Sequence, residues 1–176
     1  MTMHRSLRGA VAGGVAAAVW AAQQPLDKRV FGSGYDDLEL LGKAVTRGPE
    51  WRAVGLALHV QNGALFGSGY ALGKPFLPGP PVLRGLMAGA AEHLATWPAT
   101  RLADRLHPAR GDIGPLWGDR RVFAQAAWRH VVFGVVLGLV EQALNDRSAD
   151  EPPTIPVASN GHGDLETAAV AVGAPE

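Results

Sequence analysis

The chain has 176 residues, sixteen Lys and Arg against sixteen Asp and Glu, 23 glycines and no cysteine. Zero net charge argues against a nucleic-acid binder, which carries a basic excess. The missing cysteine excludes disulfides, Cys-ligated zinc, iron–sulfur clusters and thiol nucleophiles.

From the N-terminus, Gly9 through Leu26 holds no Asp, Glu, Lys or Arg, a run of 18 residues. A membrane-crossing helix needs about 17–25 such residues, so the spacing predicts a span over about 7–25. Arg5 and Arg8, ahead of a run ending near Ala22, also fit a cleaved secretory signal. In the polar segment 25–50, Leu38, Leu41 and Val45 recur at i, i+3 and i+7. That predicts a short amphipathic helix at the interface, capped by Ser33 or Asp36. Gly32-Ser33-Gly34 lacks the Lys-Ser/Thr ending of a phosphate loop.

Ala53 through Gly73 is a second charge-free run, of 21 residues, predicting a span over about 52–73. Two further apolar stretches carry charge. One, 82–98, contains Arg84, Glu92 and His93; the other, 122–144, contains Arg129, His130 and Glu141. Between them, 99–121 is the second long loop, with Leu102 and Leu106 at i, i+4. Residues 146–176 show no apolar period and read as a disordered tail.

Two motifs recur in the same order. LRGxxAG occupies 7–13 and again 83–89, and HVxxGxxxG occupies 59–67 and again 130–138. The expected fold is therefore all-α: a four-transmembrane-helix bundle over 1–145, built from two tandem helix–loop–helix repeats. The halves would be related by a pseudo-twofold along the membrane normal. A soluble bundle of Ala/Gly-rich helices is the alternative. Gly9/Gly13, Gly63/Gly67, Gly85/Gly89 and Gly134/Gly138 supply one GxxxG motif per helix, the small-residue stripe that lets backbones meet in lipid. The long loops and their flanks hold Lys28, Arg29, Lys43, Arg47, Arg52, Arg101, Arg105, Arg110, Arg120 and Arg121. The positive-inside rule then places both long loops in the cytoplasm.

Ionisable residues within spans face the bundle interior. His59 and Asn62 share a face with Gly63 and Gly67. His93 shares one with Gly85 and Gly89, with Glu92 beside it. His130 shares one with Gly134, Gly138 and Glu141. The intramembrane polar cluster is thus His59, Asn62, Glu92, His93, Arg129 and His130, with Glu92 and Arg129 at one depth and able to pair. Such a cluster serves either as a packing device or as a proton or solute path. No resident cofactor or metal is expected, although two imidazoles would suit a haem. There is no HExxH, nucleophile elbow or paired-carboxylate arrangement, so no catalytic residue is assigned.

The stretch Leu83–Ala90, the His-x-x-Asn-Gly helix at His59–Gly63 and the His-x-x-x-Gly helix at His130–Gly134 resemble the YagU-like bacterial inner-membrane proteins. The resemblance covers roughly 50–145. It implies an inner-membrane location and a loose link to envelope or acid stress, and it supplies no catalytic residues. The expected protein is non-enzymatic, a packing or assembly component. Its partners are the lipid bilayer and either further copies of itself or a larger membrane complex. The alternatives are a small transporter or proton-conducting element, or a soluble hydrophobic partner protein.

Overall fold

A computed structural model describes residues 4–146. Within them α1 spans Arg5–Phe31, α2 Asp37–Val45, α3 Trp51–Gly73, α4 Pro81–Thr96, α5 Thr100–Leu106, α6 Arg110–Ile113 and α7 Arg120–Asp146. The described residues are helical, with no strand among them. Beyond Asp146, the tail expected from the sequence lies outside the described residues.

Each long helix follows a sequence run, with adjustments that have local causes. Pro25 does not end α1; the helix runs through it to Gly32, whose φ of 59° gives a left-handed cap. That extension carries Asp27 and Lys28 on a helix rather than in a loop. The interfacial helix expected near 36–45 is α2, and Asp36, not Ser33, caps it. Asp36 accepts from the backbone N–H of Leu38 at 2.9 Å and of Glu39 at 3.0 Å, and from Lys28 Nζ at 2.5 Å. Burial pushes its carboxyl up, but the Lys28 and backbone hydrogen bonds outweigh it and hold the group below the usual carboxylate value. A lowered folded value means this stabilisation is complete above the unfolded value of about 3.9 and is lost as pH falls through the folded one. Asp36→Ala should therefore cost about 1 kcal/mol at neutral pH. The mutant and wild-type melting temperatures should converge as pH falls through the lowered folded value of the wild-type carboxyl.

The long helices stand in the order α3, α1, α7, α4, each antiparallel to its neighbour. The GxxxG motifs make the outer two contacts. A Cβ on Gly13 would sit 2.0 Å from the Gly63 carbonyl oxygen, and one on Gly67 would sit 2.2 Å from that of Gly9. In the other pair, a Cβ on Gly85 would sit 2.0 Å from the Gly134 oxygen, and one on Gly89 would sit 2.5 Å from that of His130. Only hydrogen fits there, so backbone meets backbone. The central contact, α1 on α7, is an apolar core of Ala12, Ala16, Ala17, Trp20, Phe133 and Leu137. Gly42 and Gly55 seat α2 against α3 in the same way.

A pseudo-twofold relating α1–α3 to α4–α7 would carry the α1–α7 contact onto an α3–α4 contact. No packed α3–α4 interface exists. The two outer helices stand apart, and a cleft fills the space between them.

Among the described residues one helix segment, Arg120–Asn145, is long and apolar enough to cross a membrane by length and composition, and 50% of that window is buried. α4 has 16 residues, about 24 Å at ~1.5 Å per residue.

Candidate functional site

The cleft encloses about 440 Å³, within the roughly 300–1,000 Å³ of small-molecule sites. α1 and α7 form its back wall, α3 and α4 its sides, and α2 and α5 its floor on the long-loop side. Exposed Ala44, Asn62, Thr96 and Ala99 form part of its lining and so stand at the rim.

All three histidines expected on packing stripes line this cleft, together with Glu92 and Asn62. The glycine stripes explain the placement: a face close enough for backbone contact also points its neighbouring side chains into the gap beside it. His59, His93 and His130 are 8%, 5% and 9% exposed. Trp20 sits between two of them, edge-on to His59 at 5.1 Å and to His130 at 4.7 Å. His93 lies 4.8 Å from His130 and 4.8 Å from Phe123, ring centre to ring centre.

The imidazoles differ in their partners. His130 Nδ1 faces the Ala126 carbonyl at 2.7 Å, and its Nε2 faces the Glu92 carboxylate. Acceptors on both nitrogens require two protons on the ring, or one on the ring and one on Glu92. His59 Nε2 and His93 Nε2 are buried without a hydrogen-bond partner.

Arg129 does not join them. The expected Glu92–Arg129 pair is not formed: Glu92 bonds His130, and Arg129 turns toward α1. One residue along a helix is ~100° of rotation, so Arg129 and His130 cannot face the same way. Arg129 Nε donates to Asp27 at 2.6 Å and its Nη2 to the other Asp27 oxygen at 2.7 Å. Nη2 also donates to the Tyr35 carbonyl at 3.1 Å, and Nη1 donates to Asp37. Gln125 completes Asp27 at 2.7 Å. Asp37 links this network to the cleft, accepting from Tyr35 Oη at 2.5 Å and Trp20 Nε1 at 3.1 Å. Burial, and then the Asp37 charge, push the Tyr35 phenol well above its ordinary value, so it remains a donor.

Sequence reasoning missed Asp27, Tyr35, Asp37 and Gln125 because they lie past Pro25 or off the glycine stripes. The signal for Asp27 was its i+4 spacing from Gln23, whose Nε2 donates to it at 2.8 Å. It also set Lys74 aside as a loop residue. Lys74 is 7% exposed and bonds buried Glu141 at 2.5 Å, at the end of the helices away from the cleft. Among the described residues, no three His, Asp or Glu side chains are grouped to hold a metal ion.

No family model, curated protein or solved structure matches this chain. Its own geometry must carry the functional reading. That geometry offers two imidazole nitrogens without a hydrogen-bond partner, one carboxylate–imidazole pair and an apolar cleft.

Proposed function

We propose that this is a non-enzymatic, multi-pass protein of the bacterial inner membrane that holds a small molecule in an intramembrane cleft. α1, α3, α4 and α7 cross the bilayer, near 7–25, 52–73, 82–98 and 122–144. The observation that carries the reading is the reversed placement of polar and apolar groups. A bundle in water turns its charges outward. Here Arg129, Gln125, Asp27 and Glu141 are at most 1% exposed, while Leu7, Val11, Val15 and Val19 form an outward stripe on α1, 38–52% exposed. Leu65 on α3 and Leu139 on α7 are 63% and 52% exposed. Lipid is the solvent in which that arrangement is stable.

Further features agree. Trp51 opens α3, Trp97 follows α4, and Trp117 precedes α7, all on the long-loop side where interfacial tryptophans collect. The Lys/Arg excess on that side favours the cytoplasm. α4 is short for a span of about 30 Å, and local bilayer thinning accommodates it. The like packing of the α1–α3 and α4–α7 pairs favours a tandem duplication, and the His- and Gly-bearing helices favour kinship with the YagU-like proteins.

A proton or solute path is the second reading, favoured by the Glu92–His130 pair lying beside the His93 ring. It predicts proton flux in proteoliposomes that Glu92→Gln abolishes. Haem enters neither reading unless protein purified from native membranes shows a Soret band.

The membrane reading has a direct test. Membranes washed with alkaline carbonate should retain the protein, and detergent should release it. Release by carbonate alone would return the chain to water.

A further inference from the structure

The cleft is lined by groups whose charges are already answered. Glu92 faces His130. Asp37 is held by Arg129, Tyr35 and Trp20. His107, on the floor, uses both ring nitrogens on backbone, facing the Leu40 carbonyl at 2.8 Å and the Ala109 N–H at 3.1 Å. Arg129 answers Asp27 as well as Asp37, so that network keeps one negative charge, and the cleft offers no unpaired cation to an anion or an anionic headgroup.

What is left unanswered is a pair of neutral hydrogen-bonding atoms, Nε2 of His59 and Nε2 of His93. They come from opposite sides of the cleft, α3 and α4. A buried polar atom without a partner costs about 1–3 kcal/mol. Both nitrogens are closed to water, so a ligand oxygen removes that penalty once a turn of the ring about Cβ–Cγ brings the nitrogen to the cleft. An imidazole nitrogen suits more than one such oxygen: with its proton it donates to a carbonyl, and without it accepts from a hydroxyl. Trp20, Phe66, Trp97 and Phe133 give the rest of the wall aromatic surfaces, set among Leu40, Leu41 and alanines. Aromatic faces and edges hold a flat ring better than a flexible chain.

We propose that the cleft binds a neutral, planar, lipid-soluble ring with oxygens on opposite sides, of the quinone and quinol class, one oxygen to each of His59 and His93. The proposal rests on the membrane reading for its route of entry, through the gap between α3 and α4, where an apolar tail would stay in lipid. It assigns binding only, with no electron transfer.

Two tryptophans in the wall supply the readout, since quinones quench indole fluorescence. Full-length protein in detergent, titrated with a decyl-substituted benzoquinone, should quench to saturation. His59→Leu and His93→Leu should each weaken the apparent Kd about tenfold, the loss of one buried hydrogen bond. Ala44→Phe, at an exposed rim position, should weaken it comparably without touching either imidazole or the core. Leu139→Ala, on the outer face of α7, should leave it unchanged. Circular dichroism confirms that each variant is folded. Quenching that never saturates in wild type, or that is the same in wild type, both histidine variants and Ala44→Phe, overturns the proposal. Carbonate extraction reports on the bilayer separately. Protein that carbonate releases but that still binds keeps the ring site and loses the lipid route; protein that is retained and does not bind loses only the site.

Discussion

Arg129→Leu should destabilise the protein by about 3–5 kcal/mol, the cost of breaking a buried ion pair on one side. Its guanidinium is 0% exposed and Asp27 is 1% exposed, so water cannot take over. The substitution strands Asp27 and removes one of the three donors to Asp37. Total stabilities run to about 5–15 kcal/mol, so this loss should lower the melting temperature sharply or prevent accumulation. Arg129→Lys should recover little. An ammonium cannot make the two-pronged contact with Asp27 while also reaching Asp37 and the Tyr35 carbonyl. Thermal unfolding of the three proteins in one detergent is the measurement. An unshifted melting temperature in Arg129→Leu would mean that Asp27 and Asp37 are not charged neighbours of this arginine.

The second large effect lies in the glycine contacts. Gly13→Ala should cost about 3 kcal/mol or more, above the usual range for one added methyl group. The added Cβ would meet a carbonyl oxygen at 2.0 Å, and backbone has no rotamer to yield. Gly85→Ala should do the same to the α4–α7 pair. Gly14→Ala is the control. It is one residue away and its Cβ would come no nearer than 3.8 Å to a side-chain carbon of Val60. It should be neutral or stabilise by up to about 1 kcal/mol through helix propensity. Equal effects at Gly13 and Gly14 would break the assigned helix contact.

The contrast between Gly13 and Gly14 shows what was legible in the sequence. GxxxG spacing places two glycines on one face, and charge-free runs mark helix lengths; both depend only on local periodicity. The four glycine pairs, the four long helices and the histidine faces follow from that. Which helix meets which does not, because it is decided by contacts far apart in the chain. Arg129 could be placed at the depth of Glu92, but its direction is set by Asp27 and Asp37, which look like loop residues until α1 is seen to continue past Pro25. The cleft was also hidden. Duplicated motifs imply symmetry, and the cleft exists where that symmetry fails.

The apolar signal in α1 and α3 is muted for a chemical reason. Glycines and amides such as Gln23, Gln24, Gln61 and Asn62 lower the hydropathy even where charge is absent. Among the described residues, α7, with its Val and Leu, is the one helix long and apolar enough to cross a membrane by length and composition.

The helix order also has a mechanical consequence. α3 packs on α1 and α2, and α4 packs on α7, so the central α1–α7 seam acts as the spine of an open book whose covers are tied along the floor, where His107 faces the Leu40 carbonyl and Asp112 pairs with Lys43 and Arg47. Neighbouring helix axes lie about 8–10 Å apart, and the outer pair sit a further helix away from that spine. A small twist at the seam therefore swings both covers about that tied floor, and the mouth widens most at the end away from the long loops.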